Sequence, residues 1–357
     1  MRKTFILLCI GWIGLVGCEE GENNKKKDAF DRKVMLENYA SKIIIPSYEK
    51  LKEHTSRLQQ ALNTLGDAPT LTNLEVAQKT WKEAYLAWQS ANAFNFGPAE
   101  SSFGTLLDEI GTFPCSVSKI ENYISRGDNS FQNFDRDARG FIAIEYLIFS
   151  IENRQEAILS LLQNSTNRRA YLKALGIRLH NEVSKVSTAW SSFKNDFIKN
   201  SGTDAGSSTA ELYNEFVKSY ESIKNFKIGL PAGKRPGQTK TEPHLVEAYY
   251  SGTSVEMLKA HFQAIEKLWR GEGVGFRDYL MTVEGGKNLV TATEAQLLTT
   301  QQAIAELPTG RLSETIEKNF SKVSKVHEEL QRLTRFFKSD MSSLLGISIT
   351  YDSGDGD

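Results

Sequence analysis

Apolar residues recur along the chain at steps of three and four, the spacing that lays a continuous stripe along one side of an α-helix. The longest run is Tyr171, Leu175, Leu179, Val183, Val186, Trp190, Phe193 and Phe197, separated by Lys, Asn and Ser. Val323, Val326, Leu330, Leu333 and Phe337 repeat the pattern near the C-terminus, and Trp81, Tyr85 and Trp88 make a shorter aromatic stripe. Stripes of this kind predict helices packed through their apolar sides. The alternation expected of half-buried strands is nearly absent; Ile347 to Tyr351 reads as a short extended tail.

Glycine and proline fall between the periodic runs, where a helix cannot continue cheaply. Gly66-Asp67-Ala68-Pro69 and Phe96-Gly97-Pro98 are two such breaks. The Gly- and Ser-rich stretch 202–208 divides the chain into halves, and Leu230 to Gly237 forms a Pro- and Gly-rich loop of the kind that carries function on a helical scaffold. The expectation is an all-α chain of two fused helical bundles with a cleft between them. The bundles are assigned to residues 31–205 and 206–357, with helices able to be shared between them.

The first thirty residues read differently. Arg2 and Lys3 precede the apolar stretch Phe5 to Val16, which is too short for a membrane span of roughly 20 apolar residues. It ends in Leu15-Val16-Gly17-Cys18, a small residue followed by cysteine. A basic start, an apolar core and a small residue before the cut make a secretory signal. Residues 1–17 are therefore read as a lipoprotein signal peptide, with Cys18 as the lipidated residue. The charged stretch to residue 30, with Lys25, Lys26 and Lys27, is read as a flexible tether. Such a protein is expected to be exported and anchored at the outer membrane, facing the periplasm or the cell surface.

The charge balance narrows the partners. Lys and Arg number 43 against 44 Asp and Glu, with no basic stripe, so nucleic acid is not an expected partner. Cys9 leaves with the signal and Cys18 carries lipid, which leaves Cys115 without a partner for a disulfide. There is no His-Glu-x-x-His, no Walker-type phosphate loop and no Gly-x-Ser-x-Gly elbow. His54, His180, His261 and His327 are isolated on amphipathic helices and read as surface or boundary residues. Asp352, Asp355 and Asp357 lack the distal Glu of a calcium loop and read as a soluble acidic terminus.

Four segments together carry a family resemblance. They are Trp81 to Pro98, Arg139 to Phe149, Ile228 to Ser251 with Glu242-Pro243-His244-Leu245-Val246-Glu247, and Leu345-Gly346-Ile347 to the acidic end. In order and spacing the chain resembles the imelysin family over essentially its whole mature length. The resemblance implies two related helical bundles, export, often a lipid anchor, and a link to iron uptake. It also implies a Gly-x-His-x-x-Glu signature, proposed as a metal site, and a filing among metallopeptidases.

The signature is incomplete here. Gly140 and Glu145 match it, but Ile142 stands in the His position and has no lone pair for a metal. A zinc hydrolase needs about three protein ligands and an open position. Glu145 lies among Phe141, Ile142, Ile144, Tyr146, Leu147, Ile148 and Phe149, so burial is expected. Two roles are open to it: pairing with an Arg, Lys or Tyr to hold the bundles in register, or contacting a ligand. His244-x-x-Glu247 repeats the lost spacing after Pro243, as a displaced ligand pair or as a solvated His in the first turn of a helix. Glu100 and Asp108 are further acidic candidates for the cleft, beside family-like segments. The expected function is a lipid-anchored envelope binding or accessory protein in iron acquisition, with iron or another divalent metal as a candidate cofactor and envelope iron-uptake proteins as candidate partners. A metallopeptidase and a structural helical scaffold are the alternatives.

Overall fold

Asp31 starts the helical part of the chain. Its carboxylate accepts the backbone N–H groups of Lys33 and Val34, donors left over in the first turn of a helix. The structure, a computed structural model, describes residues 30–152 and 154–351; the signal, Cys18, most of the tether and the acidic terminus from Asp352 lie outside them. Helix α1 (Arg32–Tyr39) passes through a wide π-helical turn (Ala40–Ile44) into α2 (Ile45–Asp67). α3 (Leu71–Ala91), capped by the Thr70 hydroxyl, follows after a short loop. A two-stranded hairpin pairs β1 (Glu100–Ser101) with β2 (Gly104–Thr105) and holds the only strands among the described residues.

Short helices then fill one end: α4 (Leu106–Ile110), α5 (Val117–Arg126), α6 (Gly140–Ile148) and α7 (Gln155–Asn164). The 34-residue α8 (Thr166–Lys199) starts on a Ser165 cap and spans about 50 Å at the helical rise. Its apolar stripe is buried as expected, Phe193 being only partly covered. α2 packs against both α3 and α8, and α6 against α3 and α8. Trp190 anchors this core, edge-on to Phe96 at 5.4 Å and to Phe197 at 5.5 Å.

The second half opens with α9 (Ser208–Ser222), which runs into another π-helical turn (Ile223–Gly229). α10 (Ser254–Arg270), α11 (Phe276–Met281), α12 (Gly286–Ala305) and α13 (Leu312–Lys318) follow. α14 (Phe320–Thr334) continues through a third π-helical turn (Arg335–Asp340) into α15 (Met341–Leu345). Phe337 ties this half together, edge-on to Phe216 at 4.8 Å and to Tyr220 at 5.0 Å.

The expected boundary at 205/206 falls in the connection between α8 and α9. Packing crosses it: α3 lies on α10, and α1 touches both α8 and α9. The described residues from Asp31 onward group as one compact unit. No helix among the described residues is long and apolar enough to cross a membrane.

The chain after α15, expected to be an extended tail, carries no regular secondary structure, and Asn214 of α9 holds it. The Asn214 amide donates to Ser348 O at 3.0 Å and accepts the Thr350 N–H at 2.8 Å, two bonds that a neighbouring strand would otherwise supply. Asn214→Ala is expected to lower stability by about 1–3 kcal/mol, the cost of leaving such groups unpaired. Chemical denaturation measures that loss, and faster hydrogen exchange at the Thr350 amide would assign it to the tail.

Candidate functional site

α6 begins where a side chain has no room. Gly140 has a φ of +78°, and a Cβ there would lie 2.5 Å from the carbonyl oxygen of Ile110. Glycine lets the first turn of α6 press against the end of α4. The Trp81 indole donates to Phe141 O at 2.8 Å and ties that turn to α3. Ile142 and Glu145, three residues apart, then share a helix face, and both are buried.

Glu145 is closed off from water altogether. Its Oε1 accepts the backbone N–H of Ser251 at 2.8 Å; its Oε2 has no hydrogen-bond partner. The pairing with an Arg, Lys or Tyr that the sequence allowed is thus replaced by a backbone donor from the other half. Burial pushes the carboxyl up to about 7, against the hydrogen bonding from Ser251; nearby Glu247 pushes the same way and Arg311 opposes it. Burial, with Glu145 adding its field, raises the Cys115 thiol to about 12, so this cysteine is no ready nucleophile.

Ser251 belongs to an irregular segment that folds back over α6. Ala248 in it has a φ of +55°, a left-handed conformation costing a non-glycine residue about 1–2 kcal/mol. The strained residue directly follows Glu247, which is buried. Glu247 Oε1 accepts the Tyr85 hydroxyl at 2.7 Å, and Oε2 accepts the Lys227 ammonium at 2.5 Å. Lys227 also donates to Gln89 Oε1 at 2.7 Å. Burial lowers the Lys227 ammonium, while Glu247 favours its charge.

The polar run continues to His261 on α10. The Ser219 hydroxyl donates to Asn92 Oδ1 at 3.1 Å and also lies 2.8 Å from His261 Nε2. With its one proton on Asn92, Ser219 accepts from Nε2–H, and His261 Nδ1 is left as an acceptor without a partner. Burial, with Lys227 adding its field, keeps His261 well below its usual range, hence neutral. The chain of buried polar groups therefore joins α3, the π-helical turn at 223–229, the 247–251 segment and α10.

The sequence-selected residues separate into two sets. Glu145 and Glu247 come close enough to feel each other's charge. His244 does not join them: it is exposed on a single 3-10 turn (Pro243–Leu245), and no longer helix follows Pro243 to bring it onto the face of Glu247. Glu100 is exposed on β1. Asp108 caps α4, accepting the Thr105 N–H at 2.8 Å. His261 is buried and hydrogen-bonded, against its reading as a boundary residue. Lys227, Gln89 and Ser251 were not singled out. Lys227 had a signal: it continues the stripe Tyr213, Phe216, Tyr220, Ile223, so a lysine stands at a core position.

These donors do not fit a resident metal ion. The free acceptors are Glu145 Oε2 and His261 Nδ1, while Glu247 is occupied by a phenol and an ammonium. An ammonium among the acceptors opposes a cation, and Ile142 offers no lone pair. Among the described residues no three His, Cys, Asp or Glu side chains are grouped to hold a metal.

Two outcomes are expected from substitutions. Between 4.5, the ordinary carboxyl value, and about 7, folded Glu145 keeps a proton that the unfolded chain gives up. Stability then falls as pH rises through that window and levels off above it. Denaturation of Glu145→Gln beside the unsubstituted protein should show the variant gaining about 3 kcal/mol in relative stability from pH 4.5 to 8, at about 1.4 kcal/mol per pH unit. Parallel curves would show that this carboxyl does not titrate in the window. Gly140→Ala is expected to lose more than about 2 kcal/mol by the same assay, because a strained φ adds to a backbone clash.

Comparison with known proteins agrees with this architecture. A curated relative, iron-regulated protein A of Synechococcus elongatus, is 23% identical over 249 residues, which is 66% of this chain and 64% of that protein. The match thus spans just under two thirds of the relative's length. The crystal structure of a protein described as an iron-regulated protein A precursor from Parabacteroides distasonis superposes with a TM-score of 0.74 at 16% identity, covering 88% of this chain and 95% of the other. An imelysin-like protein from Psychrobacter arcticum gives 0.72 at 16% identity, covering 90% and 97%. The family model for imelysin, peptidase family M75, matches residues 44–336. A match of that length shows that the chain belongs to the imelysin family.

Proposed function

We propose that this is a lipid-anchored envelope protein of iron acquisition, acting by binding and not by hydrolysis, with the buried network around Glu145 as the part that responds to its ligand or partner. The observation that carries the reading is the Glu145 carboxyl itself. It is fully buried, has one oxygen without a partner and is poised near neutral pH. A buried polar atom left unpaired is costly and calls for an explanation, and carboxyls with raised pKa values cluster at functional sites. The iron association rests on the names of the relatives, the anchor on Cys18 and its preceding residues, and the non-catalytic reading on Ile142 and the ammonium beside Glu247.

The test pairs binding with physiology. The form starting after Cys18 is titrated calorimetrically with zinc and iron and assayed for casein cleavage; neither stoichiometric metal binding nor cleavage is expected. A strain lacking the gene should grow poorly when iron is limiting, rescued by the natural sequence and not by Glu145→Gln. Metal binding lost in Glu145→Gln, with proteolysis stopped by chelation, would establish the metallopeptidase instead. Full rescue by Glu145→Gln would leave Glu145 a structural residue, and normal growth of the deletion strain would remove the iron role. For the anchor, Cys18→Ala should move the protein from the detergent phase to the aqueous phase in a Triton X-114 partition.

A further inference from the structure

A pocket of about 250 Å³ opens beside the Glu145 network, where the end of α6, α7 and the start of α8 meet Tyr250 of the irregular segment. It is smaller than the roughly 300 Å³ at which sites for drug-sized ligands begin. Leu147, Phe149, Ile158 and Leu161 make most of its wall apolar. Two phenol rings complete it: Tyr146 and Tyr250 meet edge-on with their centres 5.3 Å apart. Phe149 is itself held edge-on by Trp81 at 5.2 Å.

Arg168 is the buried cation of the lining. Its two bonds to Glu121, at 2.5 and 2.7 Å, both come from Nη2. A guanidinium carries five N–H groups, so the donors on Nε and Nη1 have no acceptor among the described residues. Donors in a place poor in water favour any acceptor that enters. The Tyr250 hydroxyl has no partner there either, and burial raises that phenol, so it keeps its proton and can donate. The Tyr146 hydroxyl is already engaged, donating to Glu121 Oε1 at 2.6 Å. Charge is balanced on the spot: Glu121 answers Arg168, and Glu152 answers Arg154 at 2.7 Å on the exposed rim. The pocket therefore asks for an apolar body with an acceptor on it, and not for a counter-charge.

We infer that this pocket binds a small ring-bearing compound with a hydrogen-bond acceptor on the ring, the ring packed against Tyr146, Phe149 and Tyr250 and the acceptor on Arg168. Aromatic walls favour a flat guest, which they meet edge-on or offset, and the volume suits one ring with a short substituent. The guest rests on Tyr250, the neighbour of the Ser251 whose backbone holds Glu145. The pocket thus supplies a ligand class for the binding function proposed above, and in that respect it rests on that reading.

The test is calorimetry on the full mature chain, without metal, using benzamide, benzoate and toluene. Benzamide or benzoate should bind one to one, the stronger of the two showing whether the acceptor is charged. Toluene, a ring without an acceptor, should bind about tenfold more weakly or worse. Leu161→Trp fills the pocket from an exposed position on α7 and should abolish binding while the protein stays folded. Arg168→Met should bring the better ligand down to the level of toluene; if that chain does not fold, Leu161→Trp decides alone. Failure of both benzamide and benzoate to bind, toluene binding as tightly as the better of them, or undiminished binding by Leu161→Trp would overturn the inference. None of these measurements involves iron or Glu145, so such a failure leaves the growth test of the proposed function standing.

Discussion

A lysine ammonium buried between two halves of a protein imposes conditions that few other contacts do. Lys227 is removed from water at a cost of several kcal/mol, which its partners repay only if all of them are in place. Glu247 comes from the irregular segment, Gln89 from α3, and the lysine from the turn after α9. If any of the three is out of register, a charge or an amide is stranded in the interior. The pair therefore contributes more to how the halves meet than to how strongly they hold. The same condition explains why Ala248 tolerates a left-handed backbone: its strain is the smaller term beside an unpaired Glu247.

Around this pair, Glu145 is the group with unused capacity. It shares its environment with Glu247 but not its partners, accepting one backbone N–H and leaving one oxygen bare. With histidine at position 142, such a carboxylate would have a neighbour on its own helix face to share a metal with. With isoleucine there, the surroundings favour a proton on the acid, which turns a hard anionic ligand into a neutral donor and acceptor. Isoleucine at this position thus gives the acid no second ligand on its own helix face.

Much of the fold was legible in the sequence, because burial on one helix face leaves a periodic record. The α8 stripe and the breaks at 66–69, 96–98 and 202–208 fall where the structure has a helix and its connections. The end of the helical part before residue 347 was visible too, but not the Asn214 that holds the tail, since side-chain bonds to a distant backbone leave no periodic trace. The site was less legible for the same reason. Glu145 stood out as an acid in an apolar run and Gly140 as part of a spacing, whereas His244 was attractive only by analogy of spacing and lies in water. Spacing implies a shared face only on a helix, and residues 243–245 make a single tight turn. Ser251 acts through its backbone, which every residue has, so no residue type could have marked it.

The turn at 223–229 presents Lys224 to one cavity and Lys227 to the buried network, three residues apart. A π-helical turn amounts to one extra residue let into an α-helix. Point substitutions cannot easily create or remove it; gaining or losing it calls for an insertion or a deletion. Deleting a single residue from this segment would restore α-helical winding and rotate everything after it by about 100°, carrying one lysine or the other away from its partners. An alignment of relatives that places a one-residue gap here would mark proteins in which these two lysines no longer face both ways.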